Sequence, residues 1–350
     1  MVKTKSDLKP LNFILLLFLS FLEICFALKP NFSAETRLRL ENFHNDTIST
    51  ASTASYLRSR LNIEFSSRYY KIYFQLQDSR LLGNQENSPG IAGGINTSPA
   101  LHQIYGELNS PFGGRNKIRF GRFEMPLGNQ RLFSKNNWNN QGRSFEGLTN
   151  TRKTKHGDVL LFHLINADLY PMNDQFDYII DGVYGSAKVN FTRPPEQTID
   201  SESNFSKESP LSLEYYIFNE NIVINPGTNT KRRQTLGFRL TKSFKRINIE
   251  TEYAYQTGKF YLDEIKASLA SINIEIPLNF SPYIKSLSFS KEYISGDEYL
   301  LGGSDGELGG FAKPFGAAHK FHGYYDNPLH KKFLNNTHAG LNEWFFETNH

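Results

Sequence analysis

The sequence predicts an all-β chain, a transmembrane antiparallel β-barrel, and three observations carry that prediction. Apolar and polar residues alternate at period two in one segment after another. The chain holds 29 Phe and 18 Tyr, yet its mean hydropathy is −0.48. After residue 28 no apolar run is long enough to cross a bilayer as a helix, so strands must do any crossing. A barrel strand turns one apolar face to lipid and one polar face inward, which reconciles many aromatics with a polar composition.

The first 27 residues read as a cleaved secretory signal peptide. Lys3, Lys5 and Lys9 form a basic start, an apolar run follows from Leu11 to Leu22, and Cys25-Phe26-Ala27 supplies small residues for cleavage. Its removal takes away the only cysteine and leaves 36 basic against 33 acidic residues. A secreted chain without cysteine is not a disulfide-stapled module. The near-neutral balance excludes a dedicated nucleic-acid binder.

Alternation begins next. Phe32, Ala34, Thr36, Leu38 and Leu40 oppose Ser33, Glu35, Arg37, Arg39 and Glu41. Leu57, Leu61, Ile63 and Phe65 oppose Arg58, Arg60, Asn62 and Glu64. Tyr70, Ile72, Phe74 and Leu76 oppose Lys71, Gln75 and Gln77. Similar segments recur near 101–109, 116–124, 143–151, 157–167, 175–190, 211–219, 233–242, 246–257, 264–277, 283–294 and 338–348, about fourteen strands in all. Gly182 and Gly185 interrupt one of them, and 264–277 changes face midway.

The expected connections alternate in length, as in an outer-membrane barrel. Residues 42–56, 78–100, 125–142 and 295–337 read as long, and 67–69, 110–115, 152–156, 243–245 and 278–282 as short. The polar stretch 191–210 breaks the pattern. A soluble β-sandwich would alternate too, but would not keep this parity of connections.

The polar faces are rich in arginine: Arg37, Arg39, Arg58, Arg60, Arg119, Arg122, Arg143 and Arg239 lie in or beside expected strands. An Arg on the lipid face near the midplane costs about 2–4 kcal/mol, so most of them must face inward. Clustered arginines attract anions and offer two-pronged hydrogen bonds to carboxylates, which suits a polyuronate. Glu35, Glu64, Glu107, Glu214, Glu250 and Glu252 would keep such binding weak enough for release. Taken singly, each arginine reads better as a bracing ion-pair partner, except Arg119, Arg122, Arg131 and Arg143. Arg119 and Arg122 fall on opposite faces around Gly121, which predicts a bulge there. Tyr73, Tyr105 and Tyr216 alternate to the polar side, as a sugar track or as girdle residues.

Catalysis finds no support. His319, His322 and His330 share one loop without the nucleophile and carboxylate that a triad needs. With Asp326 they read as a polar loop rather than a metal site, so neither enzyme, cofactor nor metal is expected.

Four blocks carry a family resemblance. They are Phe74-Gln75-Leu76-Gln77-Asp78-Ser79-Arg80; Ile118-Arg119-Phe120-Gly121-Arg122 with Leu127-Gly128-Asn129-Gln130-Arg131-Leu132; Trp138 with Gly142-Arg143-Ser144-Phe145-Glu146-Gly147; and Ser295-Gly296-Asp297 followed by His319-Lys320-Phe321-His322-Gly323-Tyr324-Tyr325-Asp326. In order and spacing they resemble the alginate-export family of outer-membrane porins, with Glu146 where aspartate is usual.

The resemblance implies a monomeric barrel of about eighteen strands in the bacterial outer membrane. It would pass an anionic polysaccharide or its oligomers by passive diffusion, with membrane lipid and periplasmic delivery proteins as partners and no nucleic acid. It adds Arg80 and Arg131, so the expected pore lining is Arg37, Arg39, Arg58, Arg60, Arg80, Arg119, Arg122, Arg131, Arg143 and Arg239. Two alternatives stand beside it: a general porin for small anionic or organic solutes, and a barrel enzyme or surface adhesin using the 295–337 loop. The chain ends in His350, with Phe345 and Phe346 nearby, and shows fewer strands than the resemblance implies. The expected organisation is therefore a signal peptide over 1–27 and a barrel over 28–350 that lacks its C-terminal strands.

Overall fold

The computed structural model describes residues 29–45, 50–82, 97–111, 114–168, 177–189, 209–225, 229–244, 247–278, 283–297, 306–313, 315–317, 320–321 and 340–349. The expected signal peptide and nearly all of the stretch 191–210 lie outside these residues. So do the loop histidines His319, His322 and His330, and with them most of the loop invoked for an enzyme or adhesin.

The described strands are β1 (Asn31–Asn45), β2 (Thr50–Ser66), β3 (Tyr70–Leu81), β4 (Thr97–Asn109), β5 (Asn116–Phe123), β6 (Phe145–Lys153), β7 (Gly157–Asp168) and β8 (Asp177–Val189). They continue as β9 (Leu211–Asn225), β10 (Asn229–Ser243), β11 (Asn248–Phe260), β12 (Asp263–Pro277), β13 (Ser286–Ile294), β14 (Glu307–Leu308) and β15 (Leu341–Asn349). No helix among the described residues is long and apolar enough to cross a membrane.

The chain divides into two compact units. The first holds β1 to β4, paired antiparallel in chain order, together with Arg119–Phe123 of β5 and the segment 137–144. The second holds β6 to β13 paired antiparallel in chain order, with β15 beside β13 and the short β14 parallel to β12.

Register decides which side chains share a face, and burial shows what each face meets. In the first unit Arg37 lies opposite Arg58, Glu35 opposite Arg60, and Arg60 opposite Gln77. Leu38 lies opposite Leu57, and Leu61 opposite Leu76, on the other face. Leu40 is 66% exposed whereas Arg58 is 3% exposed. The second unit repeats the inversion, with Ile217 at 50% and Glu220 at 1%. A protein folded for water buries such leucines and exposes such arginines; at these strand positions both units do the reverse. Hydrocarbon is the solvent that such an outer face fits. Polar pairs interrupt the apolar face in places, as where His163 Nδ1 lies 2.7 Å from Asp181 Oδ1 on neighbouring strands.

Several expectations change. β1 and β2 run on through 42–45 and 50–56, which read as loop because Thr50-Ala51-Ser52-Thr53-Ala54-Ser55 has no apolar alternation. β12 is one continuous strand, in register with β11 throughout. β9 and β10 are joined by 226–228 alone. Tyr261-Leu262 closes the β11–β12 hairpin with Tyr261 at φ 55, so the alternation of connection lengths is less regular than expected. Gly182, which interrupted the alternation, is where the Phe162 and Phe218 side chains close over the strand. A Cβ there would lie 2.3 Å from the Phe162 ring.

Replacing Leu61 by Arg tests the inversion. On a face solvated by lipid the change costs about 2–4 kcal/mol near the midplane, read as a lowered midpoint for urea unfolding in lipid vesicles. At an exposed site facing water the same change would stay within about 0.5 kcal/mol.

Candidate functional site

In the first unit the polar faces of β1 and β2 bring Arg37, Arg39, Arg58 and Arg60 together. Like charges directly opposite each other on paired strands destabilise, so the cluster needs a counterweight. The segment 137–144 supplies it through its main-chain carbonyls. Arg37 donates to the carbonyl of Asn137 and, at 3.2 Å each, to those of Trp138 and Asn139. Arg39 donates to the Trp138 carbonyl and lies 4.8 Å from that indole ring and 5.0 Å from the Tyr56 ring. Arg58 reaches the Asn137 carbonyl at 3.2 Å and the Glu35 carboxylate at 2.7 Å. Arg60 donates to Gln77 Oε1 at 2.6 Å and to Asn137 Oδ1 at 3.0 Å.

The segment is tied down from its other side as well. Ser79 Oγ donates to the Asn140 carbonyl at 2.9 Å, and Asn140 Nδ2 donates to the carbonyls of Leu57 and Arg80. Carbonyls orient a guanidinium but carry no net charge. Glu35 pairs with Arg58 and Glu41 with Arg39, so the four clustered arginines outnumber these two carboxylates. Nearby, Arg119 donates to Glu107 at 2.7 Å and lies over the Tyr105 and Phe123 rings, while Tyr105 stacks on Tyr73 at 5.1 Å.

The second unit balances its charges differently. Arg239 sits between Glu214 and Glu250, at 2.9 and 2.7 Å. Arg131 sits between Glu252, at 3.1 Å, and Glu292, which Lys313 also reaches at 3.0 Å. Arg233 makes two hydrogen bonds of 2.6 Å to Glu220. Tyr216 donates its hydroxyl to Glu252 at 3.0 Å. Lys313 lies outside the strands, where burial pushes its ammonium below the ordinary lysine value against the pull of Glu292. These are matched ionic braces.

An aromatic core packs beside them. The Phe133 ring lies 5.1 Å from Phe218 and Phe315, 5.7 Å from Phe162 and 5.8 Å from Phe145. Residues 131–134, read as loop, therefore fold onto the strands' polar side. The sequence placed no aromatic core on the polar side; Tyr216 read as a sugar-track or girdle residue. The signal that could have found this core was Leu132-Phe133, an apolar pair inside a Gly- and Asn-rich stretch.

The ten arginines thus separate. Arg37, Arg39, Arg58 and Arg60 form one cluster, and Arg143 lies in the segment 137–144 that covers it. Arg119 stands on β5 among aromatics, and Arg131 and Arg239 are clamped between glutamates in the second unit. Arg80 lies opposite Leu57, on the apolar face, because it is one residue out of phase with Gln77 and Ser79; it pairs with Asp78 at 2.8 Å. Arg122 is exposed, out of phase with Arg119 and Phe123, and donates to Ser144 Oγ at 3.0 Å. Between them Gly121 has φ 118, and a Cβ there would lie 2.4 Å from the Ile104 carbonyl oxygen. Among the described residues no group of three or more His, Cys, Asp or Glu is placed to hold a metal.

Comparison with known proteins adds a family. A model of the alginate export family matches residues 29–331. No curated protein matches the chain. Among solved structures, Pseudomonas putida OprB is 9% identical, with 77% of this chain and 74% of that chain covered and a TM-score of 0.44. Salmonella typhi OmpF, solved with daunomycin, is 11% identical, with coverages of 80% and 82% and a TM-score of 0.44. Acinetobacter baumannii OccAB1 is 12% identical, with coverages of 76% and 80% and a TM-score of 0.41.

The braces of the second unit make a stability prediction. Arg233→Met leaves the Glu220 carboxylate, which is 1% exposed, with the Tyr178 hydroxyl but without its charged partner. The loss expected is about 3–5 kcal/mol in chemical unfolding, and adding Glu220→Leu restores most of it. Equal stability of the single and double variants would show that the pair braces nothing.

Proposed function

The chain belongs to the alginate export family of outer-membrane channels, and from that premise we propose that it conducts an anionic polysaccharide or its oligomers along the arginine face of β1 and β2. The observation that carries this reading is the cluster in which four arginines outnumber the two carboxylates paired with them. The hydrogen-bond acceptors of Arg37 among the described residues are all main-chain carbonyls. A carboxylate that replaces a carbonyl acceptor makes a charge-assisted hydrogen bond, roughly twice as strong as the neutral one. The exchange therefore favours an arriving anion.

Release follows from the same arrangement. The displaced carbonyls stay within the segment 137–144 and compete for the guanidiniums again, while Glu35 and Glu41 repel a carboxylate that lingers. A row of exchangeable sites lets a chain with one carboxylate per sugar move by steps, which is passive conduction. Bringing a solute across the membrane needs no bond to be broken.

Ion selectivity in planar bilayers tests the proposal. The reconstituted channel prefers chloride to potassium, and an oligouronate reduces its current. Arg37→Glu lowers the anion preference and weakens the oligouronate block about tenfold, the scale of one charge-assisted hydrogen bond. A cation-selective wild-type channel would contradict the reading. Free passage of small carboxylates without block by oligouronate would favour a general anion porin.

A further inference from the structure

The polar face of the second unit carries a separate cavity of about 210 Å³ over β11, β12, β13 and β15, and the geometry points to a subsite for one neutral pyranose ring. The inference rests on reading the chain as a saccharide channel, but not on the arginine face. Sites for drug-sized ligands enclose about 300–1,000 Å³, so this volume suits a single ring.

Register builds the floor of the cavity. Asn273 lies directly opposite Ser290, and Ser290 opposite Phe345, along one cross-strand row. Ser271 and Glu347 complete the polar lining, and Phe321 adds a second aromatic ring. Asn273 Oδ1 is buried and accepts no hydrogen bond. A buried acceptor left empty in a polar cavity marks the place of an absent donor. The neighbouring amides and carboxylates are occupied: Asn129 Nδ2 donates to Glu250 at 2.6 Å, and Ser286 Oγ donates to Glu275 at 2.7 Å. An amide and two serines sharing a lining with the Phe321 and Phe345 rings match a ring with hydroxyls at its rim and C–H groups on its faces. Pockets of this kind bind through apolar contact and fix orientation with a few polar groups.

The charge of the lining selects the class of sugar. Glu250, Glu292 and Glu347 all line the cavity, and Arg131 is already clamped between Glu252 and Glu292 while lying 4.0 Å from the Phe321 ring. Lys320, at the edge, donates to the Asn129 carbonyl at 2.8 Å. Three carboxylates are matched by three cations, Arg131, Lys291 and Lys320, so the lining has no net positive charge to hold a ligand carboxylate, whereas a neutral ring needs none. The subsite thus takes a ring without a carboxylate, unlike the solute of the arginine face.

Current block in planar bilayers, with the full chain and maltotriose as the neutral probe, tests the assignment. Maltotriose is expected to block the wild-type current, and Asn273→Leu and Phe321→Ala each to weaken that block about tenfold, the scale of one lost hydrogen bond. Phe321 lies outside the strands, so its variant keeps the test alive if Asn273→Leu does not fold. Absence of block by maltotriose, equal block in wild type and both variants, or equal block by a polyethylene glycol of matching size would overturn it. A trimeric uronate on the same channel separates the two readings: a channel blocked by maltotriose but indifferent to uronate keeps this subsite and loses the arginine track.

Discussion

A main-chain amide in hydrocarbon has no water to bond, so every N–H and C=O at membrane depth must find its partner within the protein. Antiparallel ladders meet that demand along whole strands, and the rest of this molecule follows from them. Pleating sends successive side chains to opposite faces, so one face must suit lipid while the other collects everything polar. The inverted burial, with exposed leucines and buried arginines, is the direct consequence.

Collecting the charges on one side raises a second problem, and the two units solve it differently. The second unit matches each buried guanidinium with carboxylates, as in Arg233 with Glu220 and Arg131 with Glu252 and Glu292. Such pairs hold position at little net gain in stability, because desolvation offsets most of their attraction. The first unit instead satisfies its arginines largely with carbonyls of the segment 137–144. Carbonyls meet part of the hydrogen-bonding demand and leave the charge uncompensated, while the buried Nε atoms of Arg37 and Arg58 find no acceptor. That difference separates a brace from an anion site.

The faces of β1, β2 and β3 were legible residue by residue in the sequence, since Leu57, Leu61 and Ile63 against Arg58, Arg60 and Asn62 admit only one register of inside and outside. The family blocks were legible too, and their match over residues 29–331 confirms them. Other features were hidden for physical reasons. The Ser, Thr and Ala run at the start of β2 has no hydropathy contrast to read, and Tyr261-Leu262 lacks the Gly or Asn that usually announces a two-residue turn. Arg80 was drawn in by its motif although its phase already placed it with Phe74 and Leu76. The packing of Phe133 and the clamp on Arg37 depend on distant partners, Phe218 and Asn137, which no local pattern specifies.

The account stands on the two faces of a strand such as β2 meeting different solvents. Spin labels placed singly at 61, 62, 63 and 64 of the reconstituted protein would measure this directly, through relaxation by lipid-soluble oxygen and by a water-soluble nickel chelate. Leu61 and Ile63 lie on the apolar face and Asn62 and Glu64 on the polar face, so oxygen should dominate at 61 and 63 and the nickel chelate at 62 and 64. Equal access of the chelate to all four positions would contradict a membrane-spanning strand and the channel reading built on it.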